Sequence, residues 1–138
     1  MSEANPTSLL RSIGAVLTGV VAVIVLSLGT DIALHATGIY PPWFRPMADS
    51  LWVLALAYRI VYGIAGSYIT ARIVRDRLMM HAMIVGVIGF VLTIVGVAAN
   101  WNKGPEYGPR WFAIALILTT LPCAWIGGKL RLAQLQEN

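Results

Sequence analysis

One cysteine, Cys123, in 138 residues means that no intramolecular disulfide can staple this chain. Histidine is nearly as scarce, with only His35 and His81, and acidic residues number six. Few side chains are therefore left for a metal centre, which needs three or four convergent ligands. Charged residues make up 12% of the chain and hydrophobic ones 58%, whereas soluble domains carry about 25% charge. No phosphate-cradling or cofactor motif is present, and neither Ser67 nor Cys123 has a neighbouring His/Asp arrangement for nucleophilic catalysis. The net charge of +4 gives no reason to expect nucleic acid, because the basic residues flank apolar runs.

Those apolar runs fill most of the sequence. They cover Ser12–Thr30, Ser50–Ala71 (broken only by Arg59), Leu78–Asn102 and Trp111–Gly128. Each is close to the ~20 residues that a helix needs to cross the hydrocarbon core of a bilayer. None alternates apolar with polar residues, as a spanning strand would. The expectation is an all-α, integral membrane four-helix bundle, up-down and antiparallel, forming one membrane domain over 1–138. Its helices fall at about 11–36, 48–72, 77–100 and 109–130, with outer loops 37–47 and 101–108 and a cytoplasmic loop 73–76. The first run reads as a retained helix. It is longer than the roughly 7–15 residues of a signal-peptide core and lacks a small-residue cleavage site before Asp31.

Four helices put both termini on one side. That side carries Arg11, Arg72, Arg75, Arg77, Lys129 and Arg131; the other carries Arg45, Lys103 and Arg110. The positive-inside bias places both termini in the cytoplasm. The outer connections, TGIYPPWFRPMAD and NWNKGPEYGPR, are rich in turn-forming Pro and Gly. Tyr40, Trp43, Phe44, Trp52, Trp101, Tyr107 and Trp111 form an interfacial aromatic belt there. They serve either as plain anchors or as a shaped cap over a ligand.

Small residues mark the faces where helices meet. Ala82, Gly86, Gly89, Thr93, Gly96 and Asn100 share a stripe on helix three; Arg59, Tyr62, Gly63, Gly66 and Thr70 share one on helix two. These two faces are expected to pack together, with Arg59 inside the bundle. Helix one offers Gly14 and Thr18. Pro122 interrupts the hydrogen bonding of helix four, and Gly127 and Gly128 are expected to end it.

Arg59 is the most informative residue. A cation at bilayer depth costs roughly 2.5 kcal/mol or more, so it needs a partner. Asp31 and His35, four residues apart, share one helical face. Asp31 is the expected partner of Arg59, directly or through water or Tyr62. The cluster Asp31, His35, Arg59 and Tyr62 is thus the candidate polar site, either an ion pair that fixes helix register or an outward pocket for a ligand. A metal held by Asp31, His35 and Asp49 or Glu106 lacks a spacing that fixes the later ligands. A haem between His35 and His81 is excluded, since they fall at opposite ends of the membrane. No cofactor is expected, and no catalytic residue is assigned.

The strings TDIALHATGIYPP, AYRIVYGIAGSYITARI and HAMIVGVIGF resemble segments of small four-helix bacterial inner-membrane proteins of unknown function. The resemblance covers Gly14 to Leu130 and implies a bacterial inner-membrane location, with no activity to carry over. Small multidrug transporters share the size, but their first-helix glutamate has no counterpart here. DoxX-like proteins share the helix count without an alignable motif. The expected role is a non-enzymatic subunit or accessory protein, partnered by the lipid bilayer and by copies of itself or a larger membrane complex. The alternatives are an oligomeric anion or small-solute transporter using Arg59, and a membrane enzyme or cofactor binder with its site at Asp31, His35 and Arg59.

Overall fold

The computed structural model describes residues 6–43, 45–104 and 108–137, with side chains from Ser8 onward. Phe44, Glu106 and Tyr107, named above, lie outside the described residues. The chain is all-helical: α1 Pro6–Ala36, α2 Asp49–Ile73, α3 Leu78–Asn100 and α4 Arg110–Glu137, with no strand among the described residues. All four helices are long and apolar enough to cross a membrane.

The ends of the helices follow local chemistry. Pro6 opens α1, where its fixed φ suits the first turn and its missing N–H is harmless. Gly38, at φ 82°, takes the left-handed conformation just past the end of α1. Asp49 in the first turn of α2 and Arg72 in its last complement the helix dipole. Arg77, at φ 50°, caps α3 and is the one non-glycine residue with positive φ among those described.

Two boundaries differ from expectation. Helix α1 begins at Pro6 rather than 11, and α4 continues to Glu137 rather than stopping near 130. Gly127 and Gly128 do not end α4; they are buried contact points inside it. A Cβ on Gly127 would lie 2.5 Å from the backbone oxygen of Ile64, and one on Gly128 would meet Met79 and Ala82. Beyond them, Leu132 packs against the core, and Gln134 accepts a hydrogen bond from Tyr68 at 2.6 Å. These contacts hold the last turns on the bundle.

Helix α2 packs against all three others, while α1 and α4 barely meet. Contacts between α1 and α2 run in opposite senses, from Arg11 with Ile73, through Ala15 with Thr70, to Asp31 with Arg59. Those between α3 and α4 do likewise, pairing Gly86 with Ala124 and Gly89 with Thr120. The small-residue faces therefore meet different partners from those expected. Gly66 sits on Gly19 and Val23 of α1, and Gly63 faces Cys123 of α4. Gly86 and Gly89 face α4 rather than α2, and a Cβ on Gly96 would meet no other helix within 4 Å. The physical reason is that α2 has small residues on two sides and so serves two neighbours, leaving α3 to use its stripe on α4.

The two ends of the bundle can be named by their connections. At the termini end, α2 and α3 are joined by a short turn over residues 74–77, and Ala15, Ala71, Val74, Leu78 and Ala82 form a buried cluster. At the loop end, Tyr40, Ala55 and Phe112 form a second cluster, with Trp52 and Tyr58 against it.

Candidate functional site

Arg59 lies nearly three turns into α2, roughly 15 Å along its axis. Its Nη2 donates to Asp31 Oδ2 at 2.6 Å, closing an ion pair between α1 and α2. Its Nη1 donates to Tyr58 Oη at 3.1 Å and to the backbone oxygen of Ala55 at 3.3 Å. The guanidinium also lies over the rings of Tyr58 and Phe112, 5.1 and 5.9 Å from their centroids. Two aromatic π systems thus lie within reach of the cation and attract it electrostatically.

Tyr58, rather than Tyr62, completes the pair. Its hydroxyl donates to Asp31 Oδ1 and accepts from Arg59 and, at 3.1 Å, from Tyr40. One donor and two acceptor positions are all that a phenol has, so this oxygen is fully used. Tyr62 instead shares a hydrogen bond with Thr30 at 2.7 Å, one turn deeper. The face argument missed Tyr58 because it is adjacent to Arg59 in sequence and so points about 100° away around the helix. Asp31 sits between these two directions, and the two long side chains converge on it.

His35 does reach Asp31, but through the backbone. Its Nδ1 lies 2.7 Å from the carbonyl oxygen of Asp31. A carbonyl only accepts, so Nδ1 carries a proton and donates in this bond. The ring stacks on Trp43 at 3.5 Å, and the edge of Tyr40 meets it at 5.2 Å. Burial pushes the Tyr40 phenol above its ordinary pKa, with the Asp31 charge adding to the rise. Tyr40 therefore stays a neutral donor to Tyr58 well above neutral pH.

Two cavities border this cluster. One, of about 230 Å³, lies at the loop end between His35, Tyr40, Trp43, Met47, Trp52 and the Asp31–Arg59 pair. The other, of about 370 Å³, lies on the far side of the pair, between all four helices, and is lined mainly by apolar side chains. Asp31 and Arg59 line both. The pair is accordingly not sealed: the Arg59 side chain is 27% exposed and that of Asp31 14%. Gly63, Gly86, Gly89 and Thr93 line the larger cavity, so part of the small-residue surface bounds space rather than a packed contact. Thr93 and Gly96 also line a third cavity, of about 260 Å³, between α3 and α4 at the loop end.

His81 is buried beside the termini, bonded to the Arg77 carbonyl oxygen and to Ser12 Oγ, each at 2.9 Å. Asp49 is exposed at the start of α2. Among the described residues, no three His, Cys, Asp or Glu side chains gather as a metal site would require; Glu106 lies outside them. Comparison with known proteins gives no matching family model, no matching curated protein and no matching solved structure. The site therefore has to be read from its own geometry.

Proposed function

We propose that this chain is a non-enzymatic binding or accessory subunit of a bacterial inner membrane, an up-down four-helix bundle with both termini in the cytoplasm, working as a homo-oligomer or within a larger membrane complex. Its working site is the Asp31–Arg59 pair with the cavities on either side. One observation carries this reading: the ion pair that joins α1 to α2 forms a common wall of two cavities and stays partly exposed. A pair serving only to fix register needs no cavity beside it, whereas convergent polar groups at the wall of an apolar cavity are what a ligand site requires. The cation-rich ends of the helices support the orientation, and the apolar exterior of all four suits lipid contact.

Ligand-dependent stability tests the reading. The purified protein, screened by thermal unfolding in mild detergent against native membrane extract, is expected to gain stability, and Asp31→Asn or Arg59→Gln to lose that gain. A wild-type protein indifferent to every fraction, and always monomeric in cross-linking of native membranes, would sink both the binding and the subunit roles.

A second reading, a small-solute or anion pathway, draws on the same placement, since a charged pair between two compartments is where a gate belongs. Cys123 lines the larger cavity and reports on it. Under the pathway reading, a charged, membrane-impermeant thiol reagent added from the loop side labels Cys123 faster in Arg59→Ala. Under the binding reading its labelling rate stays unchanged.

A further inference from the structure

We propose that the larger cavity takes the hydrocarbon chain of an uncharged lipid, and that the lipid's head is a carbonyl accepting hydrogen bonds from Arg59. The inference rests on reading the pair as a binding site and names what occupies it.

The wall of the cavity selects an apolar body. Val20, Val23, Ile60, Val85 and Leu116 supply most of it. Three of its hydroxyls have their protons already used: Thr93, Thr119 and Thr120 donate to carbonyl oxygens of their own helices at 2.7–2.8 Å. The volume of about 370 Å³ falls near the lower end of the roughly 300–1,000 Å³ typical of small-molecule sites, which suits one chain rather than two. Ile24, Leu28 and Leu92 line the cavity and are also exposed on the outside of the bundle. They form a rim on α1 and α3, so a chain enters sideways, from the surroundings of the bundle.

The end of the cavity selects the head. Arg59 has five N–H donors, and three are used by Asp31, Tyr58 and Ala55. The Nε–H and one Nη2–H have no partner among the described residues. A ligand must therefore bring acceptors. It must also bring no charge, because Asp31 already neutralises Arg59 and an added ion would leave an unbalanced charge in apolar surroundings. A ketone, quinone or ester oxygen meets both conditions, whereas a carboxylate, phosphate or ammonium head does not.

The test uses the full chain in nanodiscs of ether-linked phosphatidylcholine, which contains no carbonyl. Three photoreactive probes share one diazirine-bearing alkyl chain and differ in the head: methyl ketone, carboxylate and quaternary ammonium. Adducts are mapped by mass spectrometry. The ketone probe is expected to label cavity-lining residues saturably, roughly tenfold more than either charged probe, as one hydrogen bond and a spared charge imply. Arg59→Gln abolishes the preference, and Ser27→Phe, which fills the cavity, abolishes labelling by all three probes. Equal labelling by the three heads, or preference for a charged one, overturns the carbonyl assignment while leaving a chain-binding cavity. No saturable labelling of the lining by any probe overturns the proposal together with the binding reading beneath it.

Discussion

At the termini end, glycines bring α1 and α2 almost into backbone contact. A Cβ on Gly66 would lie 2.8 Å from the Gly19 carbonyl oxygen, and one on Gly19 would lie 2.6 Å from that of Gly66. Thr70 beside them is fully buried and donates to the Ala15 carbonyl oxygen at 2.7 Å. At the loop end, the same two helices are held by long polar side chains instead: Asp31, Tyr58, Arg59 and Tyr62. Close approach of small residues gives dispersion contact over a large area without ordering long side chains. Polar side chains give directional bonds but cannot fill the space around them. The first end is accordingly tight, and the second borders cavities. The proposed binding site thus lies where packing is given up, and close helix contact where it is kept.

Substitutions at five positions probe this contrast, and each variant is read by reversible unfolding in detergent micelles. Gly66→Leu strikes the tight end and is expected to cost the most, about 3 kcal/mol or more, since α1 must move away from a side chain it cannot accommodate. A loss below about 1 kcal/mol would mean that this end yields as readily as the other.

Asp31→Ala comes next. It leaves Arg59 without its counter-charge. Breaking a fully buried pair costs about 3–5 kcal/mol, and the partial exposure here lowers the expectation to about 2 kcal/mol. The double variant Asp31→Ala/Arg59→Met is expected to recover part of that loss, giving a coupling of about 1 kcal/mol. Additive losses would show that the pair contributes nothing beyond its separate side chains.

Arg77→Gly acts at the turn between α2 and α3 and is expected to stabilise. It relieves a left-handed backbone that costs a non-glycine residue about 1–2 kcal/mol. Greater freedom in the unfolded chain offsets roughly half of that. A drop in the melting temperature would instead show that the Arg77 side chain holds the turn. Thr70→Val has the smallest expected effect, about 0.6 kcal/mol, the usual worth of one hydrogen bond between helices in such surroundings. A loss as large as that from Gly66→Leu would mean that the hydrogen bond, rather than the glycine contact, joins α1 to α2.

Much of this was legible in the chain before any coordinates. Helix number and type follow from run length and from the lack of alternation, and Asp31 is the one acid within reach of Arg59 from the first apolar run. Less legible was how the helices pair. Gly63, Gly66 and Thr70 lie on one broad face by spacing alone, yet Gly63 meets α4 while the other two meet α1. A stripe of small residues says that something comes close without saying which helix does. Gly127 and Gly128 were misread for a related reason: glycine both ends helices and permits close contact, and only the position of Ile64 and Met79 decides between the two uses. Tyr58 was hidden because spacing rules follow Cβ directions, whereas long side chains on neighbouring directions can meet at a third point.

The order of Asp31 and Arg59 along the chain has a consequence for how the protein is made. In the proposed bilayer setting, α2 alone is a poor candidate for insertion, since its cation would enter lipid uncompensated. The acid on α1 is synthesised first and is already in place when the arginine emerges. The first two helices then enter most easily as a neutralised hairpin, so a step in biogenesis is written into the sequence order of two residues that meet only in the folded bundle.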